Sequence, residues 1–205
     1  MIRRISLLLT GLILMLPLAA QTMALKITYQ QKVKPQITAL SGWDGNYTLY
    51  ANGAQYAYMP TALMMAADSV LTVEGEGSVM ADLNTNEIFD LRTIEGTTYL
   101  VTDTLPDRMW EMQPGTKDVL GQRCKKATLK LDDGSIVTAW YTEDIPIPVA
   151  PRGFFGLMGL VLELETPQYT CTANAMELST PYTKVLPSSK AKRIKPSEVG
   201  AKLIP

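Results

Sequence analysis

The sequence predicts a mainly β fold: an antiparallel meander forming a half-barrel or barrel, with a long apolar loop at 143–159. Three observations predict it. Short runs of alternating apolar and polar residues recur at roughly ten-residue intervals. Turn-forming residues separate them, and no stretch of the body keeps a helical apolar period over three turns. Composition agrees with a folded domain, with 46% hydrophobic and 19% charged residues among 205. The chain has no histidine. That removes Ser-His-Asp and Cys-His nucleophilic sites, His-ligated zinc and any imidazole base.

In chain order, the first element is an address. Arg3-Arg4 precede an apolar run from Ile5 to Leu18, followed by Ala19, Ala20 and Ala24. A basic start, an apolar core and small residues are the three parts of a secretory signal peptide, here 1–24 with cleavage near 20 or 24. The run is shorter than the ~20 residues a bilayer-spanning helix needs, and it holds Gly11 and Pro17. Without these residues the net charge moves from −1 to −3, because two arginines and no acid leave.

Residues 25–183 read as a single β domain. Leu25–Tyr29 alternates cleanly, and Tyr47–Tyr50 and Gln55–Met59 flank Asn52-Gly53, a strong hairpin signal because both residues tolerate positive φ. The stretch Pro60–Ala67, with Thr61, Ala62 and the apolar Leu63-Met64-Met65, reads as a short helical turn. Val79–Leu83 and Ile88–Arg92 flank Asn84-Thr85-Asn86, and Glu95-Gly96 leads into Thr97–Thr102. Cys124–Leu131 and Ile136–Thr142 flank Asp132-Asp133-Gly134; Leu160–Glu165 and Tyr169–Met176 flank Thr166-Pro167-Gln168. Cys124 and Cys171 both fall on strands. In an exported chain such a pair reads most simply as a disulfide, the alternative being two buried thiols.

The last segment, 184–205, is a basic C-terminal tail. Lys184, Lys190, Lys192, Arg193, Lys195 and Lys202 face one acid, Glu198, leaving −8 on residues 25–183. The tail is open to three readings: solvated, docked on the acidic body, or held on an anionic surface. Nucleic acid is excluded as a partner, since no aromatic is interleaved with these lysines.

Motifs for chemistry are sparse. Asp82-Leu-Asn84-Thr-Asn86 begins like a calcium loop, yet Glu87 stands where its glycine belongs, so it reads as a hairpin turn. Glu163 and Glu165 share a strand face and read as solvated rather than as a catalytic pair. No metal site and no cofactor are expected. The segment Glu143–Gly159 stands out: three prolines, three glycines and Phe154-Phe155 make a long connection apolar. Loops are ordinarily polar, so this one packs over the sheet, either as a lid or partner surface or as a plug of its own core.

These residues also carry a resemblance. Asp103-Thr-Leu-Pro106, Met109-Trp110-Glu-Met112, Lys117–Thr128, Thr138–Pro148 and Phe155–Glu163 resemble the GLPGLI family of secreted Bacteroidota proteins. The motif that names the family aligns with Gly156-Leu-Met-Gly-Leu-Val161, with Met158 in place of its proline and Val161 in place of its isoleucine. The resemblance implies an exported protein, in the periplasm or on the outer-membrane surface, and implies no activity.

The function expected on these grounds is that of a non-enzymatic cell-envelope protein binding an apolar ligand, peptide or partner. The candidate contact set is Trp110, Trp140, Phe154, Phe155, Leu157 and Met158, aromatics and apolar residues that a curved sheet could gather into a pocket. The alternative is an accessory subunit of an outer-membrane assembly, and an enzyme ranks third.

Overall fold

The computed structural model describes residues 24–199 apart from 41, 95, 180, 181 and 183. The signal peptide therefore lies outside the described residues except for Ala24, as do 200–205 of the basic tail. The chain is mainly β, with fifteen strands among the described residues. They are β1 (Ala24–Val33), β2 (Gly45–Asn52), β3 (Gln55–Pro60), β4 (Met65–Ala67), β5 (Val70–Val73), β6 (Val79–Asp82), β7 (Glu87–Ile94) and β8 (Thr97–Thr104). The remainder are β9 (Glu111–Val119), β10 (Gln122–Lys130), β11 (Ile136–Thr142), β12 (Leu160–Glu165), β13 (Tyr169–Ser179), β14 (Lys184–Pro187) and β15 (Lys192–Ile194). One helical turn, α1 (Pro196–Val199), follows.

Twelve strands form one sheet in the order β15-β8-β7-β6-β3-β2-β1-β13-β12-β11-β10-β9. It consists of two meanders, β1 to β8 and β9 to β13, joined where β1 pairs antiparallel with β13 along its whole length, Ala24 opposite Ser179 and Val33 opposite Tyr169. The sheet is open. Its edges are β15 and β9, so the closed-barrel alternative is corrected to a curved, unclosed sheet. Nothing covers the outer side of β9 within the sheet. That edge is blunted instead by Pro114-Gly115, a bulge between the pairs Thr116–Lys125 and Gln113–Lys126.

The inner faces of both meanders share one core, with Ile27, Tyr29, Leu49, Tyr58, Val137 and Leu162 fully buried in it. A second core lies on the other side of the N-terminal meander, where Tyr50, Met59 and Leu91 meet Leu71, Val73 and Val185. The latter come from a small sheet in the order β14-β5-β4. This second layer explains why Tyr47–Ala51 is buried at every position: both faces of β2 are covered, and the one polar member, Thr48, meets the Thr61 hydroxyl at 3.0 Å.

Residues 184–199, set apart in the sequence only by charge, belong to the fold. β14 runs parallel to β5 with Lys184 opposite Val70, and β15 runs parallel to β8 with Lys192 opposite Tyr99. The helical turn expected near residue 61 is a 3-10 turn at Thr61–Leu63, and the short strand β4 follows. The β2–β3 hairpin turns on Gly53 and Ala54, one residue later than the sequence places it, with Gly53 at φ +57°.

Both cysteines are free and buried, which corrects the expected disulfide. Cys124 sits on β10 and Cys171 on β13, three inter-strand steps apart. At ~4.8 Å per step they lie roughly 14 Å apart along the sheet, against the ~5.5 Å that a bridge needs. Burial pushes the Cys171 thiol up to about 12 and also raises that of Cys124. The native protein is therefore expected to leave a thiol reagent unreacted and to react at both sites once unfolded. One native reactive thiol, or a mass gain of two hydrogens on reduction, would contradict that.

Candidate functional site

The segment 143–159 enters the fold as a plug through residues 149–155, which are all buried, whereas 143–148 stay exposed or half-buried. Tyr29 and Tyr56 reach inward from β1 and β3 and donate their hydroxyls to the Val161 and Ala150 carbonyls at 2.5 and 2.6 Å. Phe154 is fully buried, and the Phe155 ring meets Tyr56 edge-on at 5.0 Å. Gly159 passes so close to the Thr142 carbonyl oxygen that a Cβ would stand 2.1 Å from it. Of the two expectations for this segment, lid or plug, the packing is that of the plug.

The six candidate contact residues do not come together. Phe154, Phe155 and Leu157 are sealed in the core, whereas Met158 is 84% exposed. Trp110 lies against the plug, its indole Nε1 donating to the Phe155 carbonyl at 2.9 Å. Trp140 faces the other side of β11 from the buried Ala139 and Tyr141. There Lys117 stands 4.5 Å from its ring and pairs with Glu163 at 2.5 Å. Glu165 in turn pairs with Lys34 at 3.1 Å, so the two carboxylates are spent on separate surface ion pairs.

A concavity lies elsewhere, lined by charged and apolar residues in about equal measure. It is a groove of about 900 Å³. Its walls come from the turn before β2 (Trp43), from β7 (Asp90 and Arg92), from the β8–β9 connection (Arg108), from the plug (Arg152) and from the start of β13 (Tyr169). Arg152 is the centrepiece. Only 8% exposed, it donates from its guanidinium to the Gly77 carbonyl at 3.1 Å and lies 4.1 Å from the Trp43 ring and 5.4 Å from that of Tyr169. Its backbone takes φ +54°, a left-handed conformation that non-glycine residues hold only under tertiary constraint.

Asp90 and Arg92, two apart on β7, share a face and pair at 2.8 Å through Oδ2. Burial raises the Asp90 carboxyl, while Arg92 opposes the shift. Arg108 lies 4.6 Å over the Phe154 ring, and burial lowers the affinity of its guanidinium for a proton. Three atoms in these walls find no hydrogen-bond partner among the described residues: Asp90 Oδ1, Arg108 Nε and the Tyr169 hydroxyl. Buried polar atoms are nearly always paired, so these unmet atoms make the groove the candidate site. Among the described residues no group of three or more His, Cys, Asp or Glu side chains is placed to hold a metal ion.

The family model described as "N-glycanase peptide, N-terminal domain" matches residues 44–195. The chain belongs to that family. The structure of PNGF-II in space group C2 is similar over 87% of the chain, with a TM-score of 0.58 and 14% identity. The structure of PNGF-II in space group P21 gives a TM-score of 0.56 and 13% identity. At these identities the likeness is one of fold. The chain spans about a third of the length of these solved chains, 32% and 33%. No curated protein matches it in sequence.

Membership in the N-glycanase N-terminal domain family overturns two expectations. The expected apolar-ligand binder, the alternative outer-membrane assembly subunit and the expectation of a non-enzymatic protein are corrected to a domain of an N-glycanase family. The physical reasons are visible in the fold. The apolar residues that argued for a greasy pocket fill the core, and the absence of histidine bars imidazole chemistry without barring carboxylates, amides or carbohydrate recognition. Sequence reasoning missed Trp43, Asp90, Arg108, Arg152 and Tyr169 because they come from five separate segments and form no motif. The one faint signal was an arginine inside an apolar loop.

Proposed function

We propose that this chain works in the release of N-linked glycans, as the domain of an N-glycanase-type protein that holds carbohydrate-bearing substrate in the Trp43–Tyr169 groove. The observation that carries this reading is the convergence of three unmet polar atoms on one groove. A polyhydroxylated ligand, rich in both donors and acceptors, is the kind that satisfies them. The match to a domain described as that of an N-glycanase peptide supports a glycan as the substrate class. The leader and the resemblance to secreted GLPGLI proteins support an exported location, where glycoproteins are met.

The test presents the chain with one N-glycoprotein in two forms, glycosylated and enzymatically deglycosylated, and follows retention and substrate mass. The expected result is a preference of at least roughly tenfold for the glycosylated form, or loss of glycan mass. Equal retention of both forms with no mass change would overturn the reading.

A further inference from the structure

We infer that Met109, Met112 and Met158 form an oxidation site, where two-electron oxidants are consumed at sulfur before they reach the indole of Trp110. The inference is independent of the glycan reading. Met109 and Met158 are the most exposed large apolar side chains among the described residues, at 85% and 84%, and Met112 is 59% exposed. Met59 and Met80, by contrast, lie in the second core. An exposed methionine gains little from packing and presents a polarisable sulfur to solvent. The three flank one ring. Met109 is the chain neighbour of Trp110, and Met112 follows two residues on. Met158 lies two residues beyond Gly156, where a Cβ would stand 3.3 Å from the indole.

Trp110 is a ring with a bond to lose. Half-buried, it donates from Nε1 to the Phe155 carbonyl at 2.9 Å and so ties the chain entering β9 to the plug. An indole ring opened by oxidation no longer makes that bond, whereas a thioether becomes a sulfoxide and leaves it intact. With hypochlorous acid the sulfur lone pair takes up the oxygen: an S–O bond forms and the O–Cl bond breaks. Sulfur loses two electrons, chloride leaves with them, and one proton passes to water. The sulfurs are not equivalent. Met112 Sδ accepts the Tyr141 hydroxyl at 3.1 Å, which engages a lone pair that attack on the oxidant requires. Met109 and Met158 are therefore oxidised first, Met112 later, and the buried Met59 and Met80 last.

The full chain is treated with rising amounts of hypochlorous acid, and peptide mass mapping reads the oxygen added at each methionine and tryptophan. Met109 and Met158 are expected to be half-oxidised at a dose at least roughly tenfold below that for Met59 and Met80. Tyr141→Phe is expected to speed oxidation of Met112 about fivefold, the factor that one hydrogen bond of ordinary net strength represents. A variant carrying Met109→Leu, Met112→Leu and Met158→Leu keeps side-chain volume. In it Trp110 is expected to be oxidised at a severalfold lower dose than in the parent. Trp140, on the other face of the sheet from Tyr141, is the control and keeps its dose. Oxidation of Met59 or Met80 as early as Met109 and Met158 overturns the site, and that comparison needs no variant. Equal doses for Trp110 in the parent and the triple variant, or a matching fall for Trp140, overturn the shielding of the indole. An unchanged Met112 rate in Tyr141→Phe overturns the assigned order.

Discussion

Phe154→Ala is expected to lower the unfolding free energy by roughly 3–5 kcal/mol, the cost of removing a fully buried phenyl ring and leaving a cavity. The ring has no exposed surface, Arg108 lies 4.6 Å over it, and it anchors the plug beside the Phe155–Tyr56 contact. Close packing leaves the neighbours little freedom to collapse into the space. The check is the denaturant midpoint of the variant against the parent at constant slope. A loss below about 1 kcal/mol would mean that the ring packs loosely, as a ligand-facing side chain does. The same measurement separates the two roles open to this phenylalanine in the sequence. A ligand contact changes affinity and spares stability, and a core anchor does the reverse.

Arg152→Ala is expected to cost roughly 3.5 kcal/mol. About 2 comes from a desolvated cation–π stack, and about 1.5 from a hydrogen bond made by a charged donor. Both contacts are present: the guanidinium lies 4.1 Å from the Trp43 ring and donates to Gly77 at 3.1 Å. A second variant distinguishes packing from backbone. Because φ is +54° at this position, Arg152→Gly relieves strain that Arg152→Ala retains, so the glycine variant is expected to be the more stable of the two. Thermal melts of both variants decide it, and an alanine variant more stable than the glycine variant would refute the constraint. Because Arg152 also lines the groove, either change is expected to loosen Trp43 and weaken ligand retention along with stability.

How far the sequence carries depended on what each residue's pattern could show. β10, β11 and β13 were legible because one face meets the core and the other meets solvent over much of their length, and alternation records that division; β12 was legible as the apolar run Leu160–Leu162. β9 was not legible. Its residues are exposed on both faces until Val119, and Pro114 argues against a strand unless the bulge is known. β14 and β15 were hidden for another reason: four- and three-residue strands in a lysine-rich stretch look like charge and nothing else. The disulfide expectation failed on distance. Parity of cysteines says nothing about the two strands that stand between β10 and β13.

The site was less legible than the fold. Apolar residues in a long loop pointed correctly to burial of 149–155, but the same residues were carried over into a ligand set. A buried phenylalanine and a ligand-facing one have the same local sequence. The groove residues are polar side chains on five segments from Trp43 to Tyr169, and their convergence comes from the folding of a twelve-stranded sheet. No spacing rule spans that separation.

By itself the sequence determined the β class, most of the hairpins, the apolar plug and the exclusion of imidazole chemistry. These follow from local periodicity, turn chemistry and composition, which the chain carries whatever its long-range contacts. The tertiary structure alone decided that the sheet stays open, that the tail strands join the two sheets, that the thiols stay apart, and that Asp90, Arg108 and Tyr169 share one groove. The physical reason is that strand pairing is non-local. Residue 24 pairs with residue 179, and which side chains then meet is set by register across the sheet, not by distance along the chain.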